Sequence, residues 1–506
     1  MKAQVAFGII LVMAVILLTD AAGLKAESRR NLIKRKETLV MSPLTVNHSN
    51  PRYFTDGSGK AIYLTGSHTW NNFQDIGYGN DAPFNYIAYL DSIQKYNHNF
   101  IRMWSWEHAA WFPTAKRKIV FSPMAYERTG PGDSLDGKPK FDLNRFNQAY
   151  FDRLRARVIA AQERGIYVSV MLFQGASFAI DEDYADSWFI KNLKRVILKM
   201  GLEIRDVQEN KPWRGHPFNV KNNINGINGD PHESGDGFAV HTLNIPQITK
   251  LQEGYVKKVI DTLNDLENVI WEISNESLPD SKCWQSHLID MVHEYEEGKG
   301  KQHPVLLTVQ YPDGDNEFLF KSRAEAISPN KKGGYKDDPP AADGRKIIIS
   351  DTDHLWGVGG DYRWVWKSFL RGLNPIFMDP YRANVLQHPP GSYDPDSREW
   401  ELIRKNMGYT LIFANRMNLV RMFPRPDLAS FGYCLAEPGE EYLLYTAQKD
   451  EVHVDLSQAS GDLNVEWFNP STGASKRGDA VTGGTLRSFT SPFSGDAVLY
   501  LSRLLK

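Results

Sequence analysis

The sequence predicts an α/β chain in two parts: a (β/α)8 TIM barrel over residues 41–426, then a small antiparallel β-sandwich over residues 428–506. Three observations predict it. Eight short apolar, β-rich runs recur along the first part of the chain, and amphipathic stretches of helical period separate most of them. After Pro426 the helical period gives way to short alternating runs between turn residues.

The strand candidates are Ile62–Ser67, Phe100–Trp104, Ile166–Phe173, Val269–Ser274, Val305–Gln310, Ala324–Ile327, Lys346–Ser350 and Pro375–Met378. Strand followed by helix, repeated, requires a parallel sheet, because a parallel neighbour is reached only by a crossover. The helical candidates are Phe84–Tyr96, Asn144–Arg164, Ile248–Leu266, Ser286–Glu296, Tyr362–Arg371 and Glu399–Met417. The connection around Ala324 reads as a loop. Eight units over this length fit a closed barrel with long loops better than an open doubly wound sheet. No GxGxxG follows the first strand, and Gly357-Val358-Gly359-Gly360 lacks the helix-opening spacing that a dinucleotide requires. In the tail, Gly432–Leu435, Tyr442–Thr446, His453–Leu456, Asn464–Phe468 and Ala497–Leu501 alternate, and Asn469-Pro470-Ser471-Thr472-Gly473 and Gly483-Gly484 mark turns.

Composition narrows the function. At 42% hydrophobic and 24% charged the chain has a packed core, and 59 basic against 61 acidic residues give no field for a polyanion, so nucleic-acid binding is set aside. Cys283 and Cys434 lie far apart with no CxxC, which excludes a disulfide scaffold or cysteine zinc site and leaves room for one bridge. Lys2 precedes an almost wholly apolar run, Val5 to Leu18, and then Ala21, Ala22, Gly23 and Ala26. Residues 1–26 therefore read as a secretory signal peptide, which predicts a secreted, periplasmic or cell-surface protein. The run is shorter than the ~20 residues of a membrane-spanning helix. The basic segment Lys25, Arg29, Arg30, Lys34, Arg35, Lys36 disfavours translocation, so an uncleaved membrane anchor is the alternative.

In such a barrel, functional side chains gather at the carboxyl ends of the strands. Those ends supply His68 and Trp70, Arg102 with Trp104 and Trp106, Gln174, Asn275 and Glu276, Gln310 and Tyr311, Asp351, Asp353 and His354, and Asp379 with Tyr381, with Trp356 just after a strand end. The sharpest element is Val269-Ile270-Trp271-Glu272-Ile273-Ser274-Asn275-Glu276, an apolar strand ending in an amide and a carboxyl. Glu272, Ser274 and Glu276 share one face, but only Glu276 lies past the apolar run. A carboxyl there, among aromatic rings, can have its pKa raised and serve as a proton donor; the plain alternative is a helix cap. A second acidic cluster, Ser350-Asp351-Thr352-Asp353-His354, follows the seventh strand. Two carboxyls facing one cavity suit glycoside hydrolysis, with retention at a separation of about 5–5.5 Å and inversion at about 6.5–9.5 Å. The same cluster also suits a turn or a divalent cation. Arg102 could keep a carboxylate ionised, and the aromatics could stack on sugar rings. Asn71, Asn72, His216 and Asn222 are weaker candidates for hydroxyl contacts.

Pro51-Arg52-Tyr53-Phe54-Thr55-Asp56-Gly57-Ser58-Gly59-Lys60, Tyr63-Leu64-Thr65-Gly66-Ser67-His68-Thr69-Trp70, Asn99-Phe100-Ile101-Arg102 and the Asn275-Glu276 strand resemble the barrels of glycoside hydrolase clan A, in their cellulase-like and apiosidase-like forms. The resemblance implies that Glu276 is the acid/base, with Asn275 beside it and Arg102 closing strand two. It also implies a glutamate nucleophile closing strand seven. Here the sequence departs, offering Asp353 or Asp351, one methylene shorter. Tyr442-Leu443-Leu444-Tyr445 and Val465-Glu466-Trp467-Phe468-Asn469-Pro470-Ser471-Thr472-Gly473 resemble the module named "putative collagen-binding domain of a collagenase", although no HExxH marks a zinc protease.

The expectation is a secreted glycoside hydrolase acting on an oligo- or polysaccharide, retaining, with Glu276 as acid/base, Asp353 or Asp351 as nucleophile, and neither metal nor cofactor. Its substrate-binding set is Arg102, Asn275, His68, Trp70, Trp104, Trp106, Tyr311, His354, Trp356 and Asp379. A carbohydrate-binding or adhesion protein that lost its nucleophile is the second reading. A metal-dependent hydrolase built on Asp351, Asp353 and His354 is the third.

Overall fold

The computed structural model describes residues 42–114, 117–178, 212–233, 235–381, 394–446 and 451–503. The expected signal peptide lies outside them. Among the described residues no helix is long and apolar enough to cross a membrane.

Eight parallel strands form one sheet: β1 (Gly66–His68), β2 (Phe100–Met103), β3 (Tyr167–Gln174), β4 (Val269–Asn275), β5 (Val305–Thr308), β6 (Ala326–Ser328), β7 (Ile347–Asp351) and β8 (Asn374–Met378). Hydrogen-bonded neighbours run β1-β8-β7-β6-β5-β4-β3-β2, so β1 and β2 are the two ends of the order. Those ends abut. Asn99 N–H donates to the Thr65 carbonyl at 3.1 Å, and a Cβ on Gly66 would lie 2.1 Å from the Phe100 carbonyl oxygen. Glycine is therefore required where the barrel nearly closes. Helices α1 (Tyr86–Lys95), α2 (Gln148–Gln162), α3 (Pro246–Leu263), α4 (Lys282–Glu297), α5 (Asn316–Lys321), α6 (Tyr362–Leu370) and α7 (Arg398–Arg416) lie between and after the strands. Asn85 caps α1 through Ala88 N–H and Pro246 opens α3, as helix starts prefer. The short α5 replaces the loop expected before β6.

The period of two along each strand sorts the interior into layers. Phe100, Ile270, Leu306, Ile347, Ile349 and Ile376 fill the lower barrel with Leu44 and Phe54. Ile101, Val168, Val170, Trp271, Ile273 and Leu307 face outward onto the helices. Two residues beyond Phe100, Ile270 and Ile349 along the same faces stand Arg102, Glu272 and Asp351. The core thus turns polar at the mouth.

The loop between β2 and α2 carries structure that the apolar pattern does not announce. Ala110–Thr114 pairs with Arg117–Ser122, and Tyr126–Asp133 with Pro139–Phe146. The second pair is half solvent-facing, so its residues lack the alternation that marks a strand.

The tail forms a six-stranded antiparallel sheet backed by a two-stranded ribbon. Its labelled strands are β9 (Cys434–Glu437), β10 (Glu441–Tyr445), β11 (Glu451–Asp455), β12 (Asp462–Phe468), β13 (Ser475–Thr482), β14 (Leu486–Thr490) and β15 (Val498–Arg503). The ribbon is β11 with β14, and Phe423–Pro424 adds the sheet's outer strand beside β9. Val452, Val454 and Phe489 of the ribbon pack on Leu463, Leu499 and Leu501. Leu443, Tyr445, Phe468 and Tyr500 face the other way, onto Trp366 and Phe369 of α6 and Leu411 and Phe413 of α7. Strands β13 and β14 are additions to the sequence expectation, because both are largely polar and exposed. Cys283 and Cys434 are both free, so the single bridge does not form.

Candidate active site

Arg102 is the hub of the barrel mouth. It is buried, and its Nε donates to Glu272 Oε2 at 3.0 Å, its Nη1 to Asp351 Oδ2 at 2.6 Å and its Nη2 to Asn275 Oδ1 at 2.6 Å and to Glu272 Oε1. Nη1 also lies 3.5 Å from Asp353 Oδ2. The planar fork thus ties β2 to β4 and β7, as only a guanidinium can. Ser169 Oγ–H adds a 2.9 Å bond to Glu272 Oε2.

Donor inventory fixes the two histidines. The indole N–H of Trp104 donates to His68 Nδ1 at 2.8 Å, so the other ring nitrogen carries the proton and donates to Asp351 at 2.9–3.0 Å. Asn275 Oδ1 faces Arg102 and can only accept, so His354 Nε2–H donates to it at 3.0 Å while Ser328 Oγ–H donates to His354 Nδ1 at 2.8 Å. Burial first, then the charge of Arg102, depresses the His354 pKa to about 3, consistent with the neutral ring. With both nitrogens engaged, His354 does not point a lone pair at Asp351 and Asp353. Among the described residues no group of three metal-ligating side chains converges.

The three carboxyls at the rim differ in environment. Asp351 is fully buried; burial alone would raise its pKa, but His68 and Arg102 outweigh it and hold the group well below the usual range. Its Oδ1 also accepts the Asp353 N–H at 2.9 Å, capping the one-turn helix Thr352–Leu355. Asp353 is partly exposed, and burial and then repulsion from Asp351 raise it to about 6 against the pull of Arg102. Glu276 is raised well above the ordinary glutamate value by burial and then by Asp353. Its carboxyl makes no hydrogen bond among the described residues. Its backbone is left-handed, φ 50°, which costs a non-glycine residue roughly 1–2 kcal/mol.

Other expected ligands take structural posts. Asp379 is buried and paired with Arg404 of α7, Nε to Oδ2 at 2.8 Å, and its Oδ1 accepts the Tyr381 N–H. It therefore anchors α7 to β8 rather than facing a ligand. Asp379→Asn is expected to lower unfolding free energy by about 2 kcal/mol, the scale of a hydrogen bond to a charged group, while leaving any turnover within a few fold. Chemical denaturation checks the first and initial rates the second. Trp70, Trp104, Trp106 and Trp111 are buried in one cluster with Phe121 and Met378, so they build the wall rather than an open stacking platform. Trp104 and Trp106 stack on each other, centroids 5.8 Å apart. His68, Arg102 and Asn275 are each at most 1% exposed and lie beneath the rim, where they hold the carboxyls. Tyr311 and Trp356 remain half-buried, with Lys336 Nζ 5.2 Å from the Trp356 ring centre. Asn72 Nδ2 donates to the Arg102 carbonyl, and Asn222 ties its own loop to Arg214 and His216. Asn71 is only partly buried.

Glu272 was legible as a carboxyl on the inner face but not as a ligand of Arg102. Its signal is a carboxyl inside an apolar run, which must find a cation when buried. Beyond the rim, a recess opens beside Trp106, Glu107, Tyr126, His216 and Phe218. None of Glu276, Asp351 and Asp353 lines it.

Residues 429–502 match the family described as "Putative collagen-binding domain of a collagenase". No curated protein sequence matches the chain. Among solved structures, a glycoside hydrolase family 5 protein from Bacteroides vulgatus ATCC 8482 is 13% identical, with 91% of this chain and 93% of that one aligned at a TM-score of 0.55. Another, described as "a putative glycoside hydrolase" from the same strain, is 14% identical over 92% of this chain and 83% of that one, with a TM-score of 0.58. At such identities the likeness establishes the fold: the chain is similar to glycoside hydrolase barrels followed by a sandwich of the collagen-binding type.

Proposed function

We propose that this chain hydrolyses O-glycosidic bonds of an oligo- or polysaccharide by a two-carboxylate, retaining mechanism. The observation that carries the reading is the pair at the barrel mouth: Glu276 and Asp353 repel each other's charge beside an Asp351 held ionised by Arg102 and His68. Both carboxyls are raised and they titrate as a pair, and in the proposed mechanism their shared proton is the one that Glu276 delivers. Asp353 as carboxylate attacks the anomeric carbon while Glu276 protonates the departing oxygen. Glu276, now a base, then takes a proton from the water that releases the sugar from Asp353. Asp351, buried and with both oxygens bonded, positions Arg102 and the turn bearing Asp353. The likeness to glycoside hydrolase barrels supports the substrate class, and the half-buried Tyr311 and Trp356 offer ring faces at the rim.

The pair sets the pH dependence. Activity requires Asp353 ionised and Glu276 protonated, so kcat/KM is expected to rise through about pH 6 and to fall again on the alkaline side as Glu276 loses its proton. A pH–rate profile on aryl glycosides or a plant polysaccharide digest checks both limbs. Proton NMR of the first-formed anomer checks retention. If sugars bind without turnover, the carbohydrate-binding reading replaces this one; what favours it is the aspartate where a glutamate nucleophile is expected.

Export rests on the apolar run Val5 to Leu18. Amino-terminal sequencing of the protein recovered from the medium, periplasm or membrane fraction is expected to show cleavage near residue 26.

A further inference from the structure

Glu276 stands in a backbone conformation that its side chain disfavours, at the point where the proposed chemistry occurs. The segment around it is clamped from several sides. A Cβ on Gly175, just past β3, would lie 2.1 Å from the Glu276 carbonyl oxygen, so the two loops touch backbone to backbone. The Ser277 carbonyl accepts from Tyr311 N–H at 3.0 Å. The Ser277 hydroxyl is buried against Ser274 Oγ and lies 2.9 Å from His241 Nδ1. On the far side of the ring, His241 Nε2 is 3.0 Å from Glu107 Oε1, which also accepts Gln174 N–H at 2.8 Å.

The directions of these bonds follow from the groups. Burial would raise the Glu107 carboxyl, but His241 and then His216 outweigh it and bring it down to about 2, so its oxygens only accept. His241 Nε2 therefore donates to Glu107, and on the other side its Nδ1 and the Ser274 hydroxyl both hydrogen-bond Ser277 Oγ. His241 is locked from its face as well: its ring lies parallel to Trp284, centroids 4.2 Å apart at 13°. The result is a carboxylate–imidazole–hydroxyl chain running from the β2 loop to the residue after Glu276. Glu107 is far from both others in sequence, and His241 sits on the loop before α3, so three loops meet on one peptide.

We infer that Glu107, His241 and Ser277 are positioning residues that hold Glu276 in its left-handed backbone and so aim its carboxyl at Asp353. The inference rests on the reading of Glu276 as proton donor. A buried hydroxyl with both lone-pair and proton directions satisfied cannot rotate, and Ser277 fixes the peptide on which the Glu276 side chain pivots. A serine placed only as a helix start would need no partner on another loop; Ser281, which precedes α4, makes no side-chain cap.

The test uses the full-length protein and three variants, with Glu276→Gln as control. His241→Phe keeps the stack on Trp284 but removes both hydrogen bonds; His241→Gln restores a donor for Glu107 and an acceptor for Ser277; Ser277→Ala removes one hydroxyl. His241→Phe and Ser277→Ala are expected to lower kcat at least tenfold with KM within about threefold, and to move the alkaline limb of the pH profile to lower pH while the acid limb stays. His241→Gln is expected to recover most of the loss. Parent-like kcat and alkaline limb in Ser277→Ala would overturn the inference, and that variant decides should His241→Phe fail to fold. A crystal structure of Ser277→Ala separates this idea from the catalytic one. Glu276 leaving the left-handed region together with the loss of kcat supports positioning, and an unchanged φ overturns it, whereas an active Glu276→Gln overturns the catalytic reading alone.

Discussion

Glu276→Gln is expected to lower kcat by 10²- to 10⁴-fold on any substrate the parent turns over, the range spanned by loss of a general acid/base. That is about 3–5 kcal/mol of transition-state stabilisation. The amide keeps the shape and the hydrogen-bonding capacity of the side chain but has no proton to give, so KM should change little. The same variant is expected to gain stability at neutral and alkaline pH. Because the folded-state pKa of Glu276 lies above its unfolded value, its contribution to stability is complete below the ordinary carboxyl range and is lost as pH rises through the raised folded value. Glutamine removes that loss and the repulsion with Asp353. Melting curves of parent and variant should therefore converge at acid pH and separate in favour of the variant above it, while rate assays show the opposite ranking. Unchanged turnover would sink the proposed chemistry.

The second large effect is expected at Arg102. Replacing it with methionine leaves the carboxyls of Glu272 and Asp351 buried without their cation, and Asp353 without its nearest positive charge. Removing one partner of a buried ion pair costs about 3–5 kcal/mol, and here one cation serves several acids. Denaturant titration of Arg102→Met should show that loss in midpoint, and adding Glu272→Gln should return part of it, since contacting sites couple by roughly 0.5–3 kcal/mol. Rates carry a separate mark of the change. Arg102 lowers the pKa of Asp353, so without it the acid limb should move to higher pH. A variant as stable as the parent would mean that the fork is not the tie its geometry describes.

How much of this was legible in the sequence depends on what fixes each feature. The barrel strands are apolar on both faces, so their runs stand out, and their observed limits differ from expectation by a few residues. Glu276 was legible because seven strand residues precede it without a charge other than Glu272. The hairpins between residues 110 and 146 were not, since half their surface meets water and Pro113, Pro131 and Pro139 interrupt them. Asp379 looked like Asp351 in sequence, each an acid closing an apolar strand. What separates them is Arg404, on the helix after β8, whose arrival no local pattern predicts. The aromatic cluster misled in the same way. Strand-end tryptophans can face a ligand or a neighbouring loop, and the β2 excursion covers Trp104 and Trp106. Glu107, His241 and Ser277 meet only because long loops fold over the barrel mouth, and a single sequence carries no record of that meeting.

Most of the tail's six-stranded sheet is covered on both faces, with β13 the largely exposed exception: the ribbon lies on one side, and α6 and α7 of the barrel lie on the other. Trp366 Nε1 donates to Asn406 Oδ1, and Asn406 Nδ2 in turn donates to the Pro470 carbonyl, so a polar stitch runs through the same seam. A module tethered by a linker would melt independently and could be cut away. This one shares its hydrophobic interior with the barrel, so calorimetry should record a single endotherm. Truncation before residue 428 would leave Trp366, Phe369 and Phe413 on the surface as a chaperone-binding and aggregation-prone stripe. The tail is therefore part of what makes the barrel expressible.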